Sequence, residues 1–112
     1  VVAISCKKAI KDPNDVYPIV ATISAVQNPD TTVTLTGEIF SEGTTSLAYL
    51  GFCYSQDPNP KMSENQIHGD FDGQFFTADY ASLVIGETYY FMAWAANQEG
   101  YSYGNVISLE LQ

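Results

Sequence analysis

A short segment around Gly86 constrains the fold of this chain more than any other feature. The run from Leu83 to Ala93 places Gly86 in a turn, directly before a strand whose first aromatic residue is Tyr89. In two-sheet sandwiches a tyrosine at this position buries its ring, and its hydroxyl bonds back to the backbone a few residues upstream. Leu83, Gly86 and Tyr89 are therefore predicted to form the structural corner of an all-β, two-sheet antiparallel β-sandwich.

The rest of the chain alternates between predicted strands and turns, and no segment has a helical period. The clearest strand spans residues 32–40, where apolar and polar residues alternate so that one face is buried and the other is wet. This pattern is typical of a sandwich or a barrel. The predicted strands cover 19–26, 32–40, 48–55, 74–81, the segment from the corner to 96, and 106–111, with an irregular segment from 62 to 73.

The charge of the chain is strongly negative and unevenly placed. From Pro13 onward there is one lysine, Lys61, against twelve acidic residues, a net charge of −11, and the chain contains no arginine. Such a field repels phosphate backbones, so nucleic-acid binding is excluded. The acidity is typical of the solvated surface of a secreted protein, and cation binding is the alternative interpretation.

The first residues resemble the end of a bacterial lipoprotein signal peptide. Apolar and small residues precede Cys6, and a basic stretch follows it, although Ala3 stands where the familiar motif has leucine. We predict that residues 1–5 are a signal-peptide remnant, that Cys6 is lipidated, that 6–17 form a flexible tether and that 18–112 form the domain. The alternative is a short edge strand in which Cys6 is an ordinary thiol. We predict no bridge to Cys53, which lies in a predicted strand.

Four motifs in order resemble one family of modules. They are Thr34 to Ile39, Gly51 to Ser55 with the following Asp57 to Pro60, the corner strand from Gly86 to Ala96, and the closing Tyr101 to Asn105. Together they are similar to the fibronectin type III-like (immunoglobulin-like) repeats of bacterial surface and secreted proteins. The resemblance covers about 20–111 and implies seven strands and a role as a spacer, adhesion or presentation module. It does not imply catalysis. The family often has proline where this chain has Ile85.

The sequence offers little for catalysis or metal binding. His68 is the only histidine, it lies in a predicted loop, and no nucleophile has a recognisable setting around it. The segment from Asp70 to Gly73 resembles the opening of a calcium loop, but Phe75 and Phe76 stand where further oxygen ligands are needed. An ordinary acidic turn is favoured. We therefore predict no enzymatic activity, no metal and no cofactor.

The strand that follows the corner offers a candidate binding surface. If Tyr89, Phe91, Ala93 and Ala95 point inward, then Tyr90, Met92 and Trp94 point outward, and Tyr49 and Cys53 on the neighbouring strand share that outer face. An exposed stripe of this kind marks a contact surface, although a one-residue slip of the strand would reverse it. Tyr101 and Tyr103 are expected to pack around the base of the last hairpin.

These features predict a non-catalytic module of a lipoprotein in the cell envelope, in the outer membrane and facing the cell surface or the periplasm. Its partners would be other protein modules or surface glycans, and it would meet the membrane only through its N-terminal lipid anchor, since no run of 18 apolar residues is present. The alternative function is a carbohydrate-binding module that uses Trp94, Tyr90 and acidic loop residues.

Overall fold

The structure is a computed structural model that describes residues 16–60 and 65–112. It confirms the predicted fold class, because two four-stranded antiparallel sheets pack face to face as a β-sandwich. Eight strands are present rather than the seven that the family resemblance implies. They are β1 (Ile19–Gln27), β2 (Val33–Ser41), β3 (Tyr49–Ser55), β4 (Asn65–His68), β5 (Asp70–Phe71), β6 (Phe75–Tyr80), β7 (Thr88–Asn97) and β8 (Gly100–Glu110).

The two sheets have the orders β1-β2-β6-β5 and β4-β3-β7-β8. Two strands that were predicted from alternation, β2 and β6, pair directly, with Leu35 opposite Ala78 and Gly37 opposite Phe76. In the other sheet β3 lies between β4 and β7, and β7 lies between β3 and β8. The described residues include no helix that is long and apolar enough to cross a membrane.

Residues 65–71 correct the expected irregular segment, because they form the short strands β4 and β5. These strands have four and two residues, too few for a readable alternation. In β4 only Ile67 is buried. Their pairing is decided by the edges of β3 and β6 that they cover, which is tertiary context rather than local preference.

Strand β8 begins at Gly100, six residues before its predicted start at Val106. Its register against β7 shifts between Met92 and Trp94, where β8 contains one extra residue. Such a bulge reverses the inward and outward alternation beyond it. No single alternation therefore runs through the whole strand, and the sequence pattern showed only its second half.

Large apolar side chains from both sheets meet in the core. Phe52 of β3 and Phe76 of β6 are both fully buried, and their ring centroids lie 5.0 Å apart across the sandwich. A Cβ atom at Gly37 would collide with the Phe76 ring, so the glycine in β2 makes room for that ring. Phe91 and Leu35 complete the centre of this cluster. The core therefore contains ring contacts that join the two sheets.

A buried polar contact also joins the sheets, between Thr22 of β1 and the bulge in β8. The Thr22 hydroxyl donates to the Asn105 carbonyl (2.6 Å) and accepts from the Ala93 N–H (2.7 Å). The Asn105 side chain accepts from the Thr22 N–H (2.9 Å) and donates to the Thr22 carbonyl (3.1 Å). We call these four hydrogen bonds the inter-sheet lock. They hold the edge strand of one sheet against the edge strand of the other.

The corner has the geometry that a corner tyrosine requires. The Tyr89 side chain is 5% exposed, and its hydroxyl accepts hydrogen bonds from the Val84 N–H (3.0 Å) and from Gln56 Nε2 (3.3 Å). Gly86 has a φ of +91° in the turn before it, and Leu83 packs against the core. The corner thus fixes how the chain enters β7.

Candidate interaction surface

The inward residues of β7 are those that the sequence predicted. Tyr89, Phe91, Ala93 and Ala95 all belong to the main core cluster. The alternate residues of β7 therefore lie on the outer face of the sheet, which confirms the predicted phase of this strand. Strand β3 presents Tyr49 on the same face, where it is 59% exposed.

The expected exposure of this stripe is wrong at two positions. Trp94 is only 3% exposed and Cys53 is fully buried, although both lie on the outer face. Tyr103 lies opposite Trp94 on β8, and the Tyr101 ring, diagonal to it, packs with its centroid 5.9 Å from the indole. Diagonal neighbours on a sheet are within reach of aromatic side chains. Trp94 is therefore covered by its neighbours and forms a small second cluster with Cys53 and Ala96.

Sequence reasoning missed the two most exposed rings on β8. Tyr101 and Tyr103 are each 52% exposed on the outer face, and the Tyr101 ring also packs on Trp94 near the base of the hairpin. Their spacing of two residues indicates that they share one face of a strand. The bulge shifts this alternation relative to that of Val106, Ser108 and Glu110, so the two halves of β8 do not read as one strand in the sequence. Val106, also exposed, lies beyond the bulge on the same face as Met92.

The exposed and half-exposed apolar or aromatic residues of this outer face lie on β3, β7 and β8. We call this group the tyrosine face, and it consists of Tyr49, Tyr90, Met92, Tyr101, Tyr103 and Val106. Trp94 lies beneath it, and the Trp94 Nε1 atom is buried without a hydrogen-bond partner among the described residues. Large apolar patches are uncommon on a monomeric domain, so this group of exposed rings is a candidate contact surface.

The tyrosine face carries almost no charge. Among the outward positions of β3, β7 and β8, the only acidic residue is Glu110, which pairs with Thr88 at the far end of the sheet. Yet the described part of the chain contains ten acidic residues and neither lysine nor arginine. Depletion of charge and enrichment in tyrosine and methionine are typical of the centre of a protein interface.

The outer face of the opposite sheet has a different chemistry. Thr34 and Asp79 lie opposite each other on β2 and β6, and the threonine hydroxyl donates to the carboxylate (2.6 Å). Gln74 Nε2 donates to Glu38 of β2 in the same way (2.9 Å). The charged side chains of this face are thus acidic, and Val26 and Phe75 add exposed apolar area beside them. The two outer faces therefore differ mainly in charge and in tyrosine content.

The corner end of the molecule holds a group of tyrosines. The hydroxyls of Tyr54 and Tyr80 lie 2.8 Å apart, and the Tyr54 ring meets Tyr89 edge-on at 6.0 Å between centroids. Burial is the main cause that raises the pKa of Tyr54 to about 12, and the hydrogen bond with Tyr80 is the second cause. These groups stabilise the corner, and their hydroxyls are engaged with one another and with the backbone.

The acidic turn favoured from the sequence is present only at Asp72 and Gly73, because Asp70 and Phe71 form strand β5. The backbone N–H groups of Gln74 and Phe75 donate to the Asp72 carboxylate (2.9 and 2.7 Å) and lower its pKa. His68 ends strand β4 and does not lie in a loop, which corrects its expected place. Within the described ranges no three histidine, cysteine or acidic side chains are grouped to hold a metal ion.

Predictions for the start of the chain fall outside the described residues. The signal-peptide remnant (1–5), the lipidated Cys6 and most of the tether (6–17) lie there, as does any bridge between Cys6 and Cys53. The described chain starts at Val16, whose carbonyl accepts a hydrogen bond from Asn97 Nδ2 (2.8 Å). Asn97 ends β7, so Val16 lies at the hairpin end of the sandwich.

Comparison with known proteins supports the fold and no family. No protein-family model matches this chain, and no curated protein matches it. Among solved structures, the chain is similar to an engineered protein whose crystal structure was determined at 1.98 Å, with a TM-score of 0.56 and 15% identity. The match covers 85% of this chain and 20% of the engineered one, so the chain spans about a fifth of that protein. At this identity the similarity shows a shared sandwich fold alone.

Proposed function

We propose that this chain is a non-catalytic interaction module of the bacterial cell envelope, and that the tyrosine face is its contact surface. The observation that carries the proposal is the contrast between this aromatic, nearly uncharged face and the acidic remainder of the domain. Its partners are other protein modules. The same acidity argues against nucleic acid as a partner.

We propose further that the module is fibronectin type III-like. Four sequence motifs occur in the family's order, and the described residues include a corner tyrosine bonded to the backbone five residues upstream. A spacer or adhesion role is in keeping with such a module. The proposed function rests on the tyrosine face and not on the fold, because sandwiches of this kind host many unrelated sites.

The module is proposed to be held in the outer membrane through a lipid on Cys6, facing the cell surface or the periplasm. Small and apolar residues before Cys6 and lysines directly after it support this anchor. A tether of about a dozen residues would let the domain sample a wide area above the membrane while it stays attached.

The anchor is tested by cell fractionation. When the protein is produced from its own gene, Cys6→Ser is expected to move it from the membrane fraction to the soluble fraction, because the site of acylation is removed. Lys11→Ser, a change in the tether, serves as the matched control and should stay with the membrane. Membrane retention of the Cys6→Ser protein would show that the anchor proposal is wrong.

A carbohydrate-binding module is the second candidate, and the exposed rings of Tyr49, Tyr101 and Tyr103 favour it. The sequence predicted that such a module would bind sugar through Trp94, but the Trp94 ring is covered and so is not presented to a sugar. A panel of neutral oligosaccharides, followed by tryptophan fluorescence, tests it. Absence of any response across the panel would remove this candidate.

A further inference from the structure

All of the described side chains that carry a formal charge are acidic, so a partner approaches a negative domain. At the hairpin end of the molecule, Glu99 lies directly before Gly100, and Glu42 lies close by, since its backbone carbonyl accepts from Asn97 Nδ2 (3.0 Å). At the corner end, Asp57 lies two residues after the end of β3, and Glu110 pairs with Thr88. Acidic residues therefore lie at both ends of an uncharged aromatic surface.

Two of the sheet edges lie against each other. The inter-sheet lock holds β1 against β8 through Thr22 and Asn105. Edges covered in this way do not invite strand addition by another chain. On the other side of the sandwich the chain passes from β4 to β5 through Gly69 and so moves from one sheet to the other.

We propose that the tyrosine face binds a protein partner through arginine side chains, with guanidinium groups stacked on Tyr49, Tyr101 and Tyr103. This inference rests on the proposed function and names the chemistry of its partner. The face of a tyrosine ring attracts a cation, and the planar guanidinium also stacks on it. The acidic residues at the two ends pair with further basic groups and speed association by long-range attraction.

A second copy of this chain fits the surface poorly. The chain contains no arginine, and its body carries a net charge of −11 from Pro13 onward, so two copies repel each other. A neutral glycan could stack on the same rings, but it would gain nothing from the acidic residues around them. Charge complementarity thus selects a basic protein surface.

Hexa-arginine and hexa-lysine peptides test the proposal because they carry equal charge and differ in their ability to stack. The purified chain has one tryptophan, Trp94, which lies 5.9 Å from the Tyr101 ring and so reports on this surface. In a fluorescence titration at low salt, hexa-arginine is expected to bind two- to fivefold more tightly than hexa-lysine, a ratio that corresponds to about 0.5 to 1 kcal/mol. Equal affinities for the two peptides would overturn the proposal.

Variants of the tyrosines separate stacking from simple charge attraction. Tyr49→Ser with Tyr103→Ser keeps the net charge and leaves the Tyr101 ring on Trp94, so this serine pair should remove most of the preference for arginine, whereas the matched Tyr→Phe pair keeps the ring faces and should retain it. Thr34→Ser with Thr77→Ser, on the opposite outer face, should leave the preference unchanged. A serine pair that folds yet prefers arginine as strongly as the parent protein would contradict the proposal.

Two further measurements complete the test. Glu99→Gln with Glu110→Gln should weaken the binding of both peptides while leaving the ratio of their affinities unchanged. This variant leaves the aromatic residues intact. A neutral hexasaccharide that binds more tightly than hexa-arginine, with loss in the serine pair, would replace arginine by sugar as the ligand. Failure of the arginine preference leaves the fractionation result for Cys6 untouched, so the two proposals can fail separately.

Discussion

At the scale of single residues, the hydroxyl of Tyr89 is the group whose removal should be most informative. It accepts from the Val84 N–H (3.0 Å), and the ring around it is buried. Tyr89→Phe keeps the ring and leaves that N–H without its acceptor, so we expect a loss of about 1 to 3 kcal/mol in the free energy of unfolding. The measurement is the midpoint of urea unfolding at an unchanged slope.

Tyr90→Phe is the matched control, since Tyr90 is the next residue and lies half-buried on the outer face. Its unfolding free energy should stay within about 0.5 kcal/mol of the parent protein. Identical midpoints for the Tyr89 and Tyr90 variants would mean that the hydroxyl bond to the backbone contributes nothing to stability.

Residue-scale prediction succeeded where a single strand decides the outcome and failed where several strands do. The inward phase of Tyr89 and Phe91 follows from alternation within β7. The covering of Trp94 depends on Tyr101, which reaches it diagonally from β8. Since β8 was placed from residue 106, the sequence offered no means of bringing that ring over the indole.

At the scale of elements, the turn from Val84 to Glu87 is open to improvement. The Glu87 N–H donates to the Val84 carbonyl (3.2 Å), and Gly86 has a φ of +91°, as the third residue of a type II turn requires. Ile85 occupies the second position, where proline is favoured. Its side chain is exposed, so little packing depends on it.

Ile85→Pro is therefore expected to raise the free energy of unfolding by about 0.4 to 1 kcal/mol, because proline restricts the unfolded chain. Gly86→Ala is the opposite control and should lower it by about 1 to 2 kcal/mol, since alanine is strained at positive φ. No heavy atom lies within 4 Å of a Cβ built at Gly86, so that loss would come from the backbone alone. A destabilised proline variant would show that the turn is not of this type.

Long regular strands were predictable from the sequence, and short or bulged ones were not. The alternation in β2 and β6 decided their extent and their buried faces. Strand β8 carries two alternations of opposite phase, which meet at Gly104 and Asn105. Strands β4 and β5 form because they pair with the edges of β3 and β6. Those features depend on partners distant in the chain.

At the scale of the whole molecule, the inter-sheet lock holds together two sheets that otherwise meet through apolar contacts. Thr22 is 4% exposed, and its hydroxyl both accepts from Ala93 in β7 and donates to Asn105 in β8. The same bulge that misaligns β8 with its sequence pattern brings the Asn105 amide onto the backbone of Thr22. A local irregularity thus has a role in the assembly of the sandwich.

The lock is tested by a double-mutant cycle. Thr22→Val keeps the shape of the side chain but removes the hydroxyl that bonds to the Ala93 N–H and the Asn105 carbonyl. Asn105→Ala removes the amide that bonds to the backbone of Thr22. Each variant should lower the free energy of unfolding by about 1 to 3 kcal/mol. Because both variants break one network, their combined cost should fall short of the sum by about 0.5 to 3 kcal/mol. Thr77→Val, on the exposed face of β6, is the control and should change stability by less than about 0.5 kcal/mol. Strictly additive losses in urea unfolding would mean that Thr22 and Asn105 act independently, and the two sheets would then be held together by the core alone.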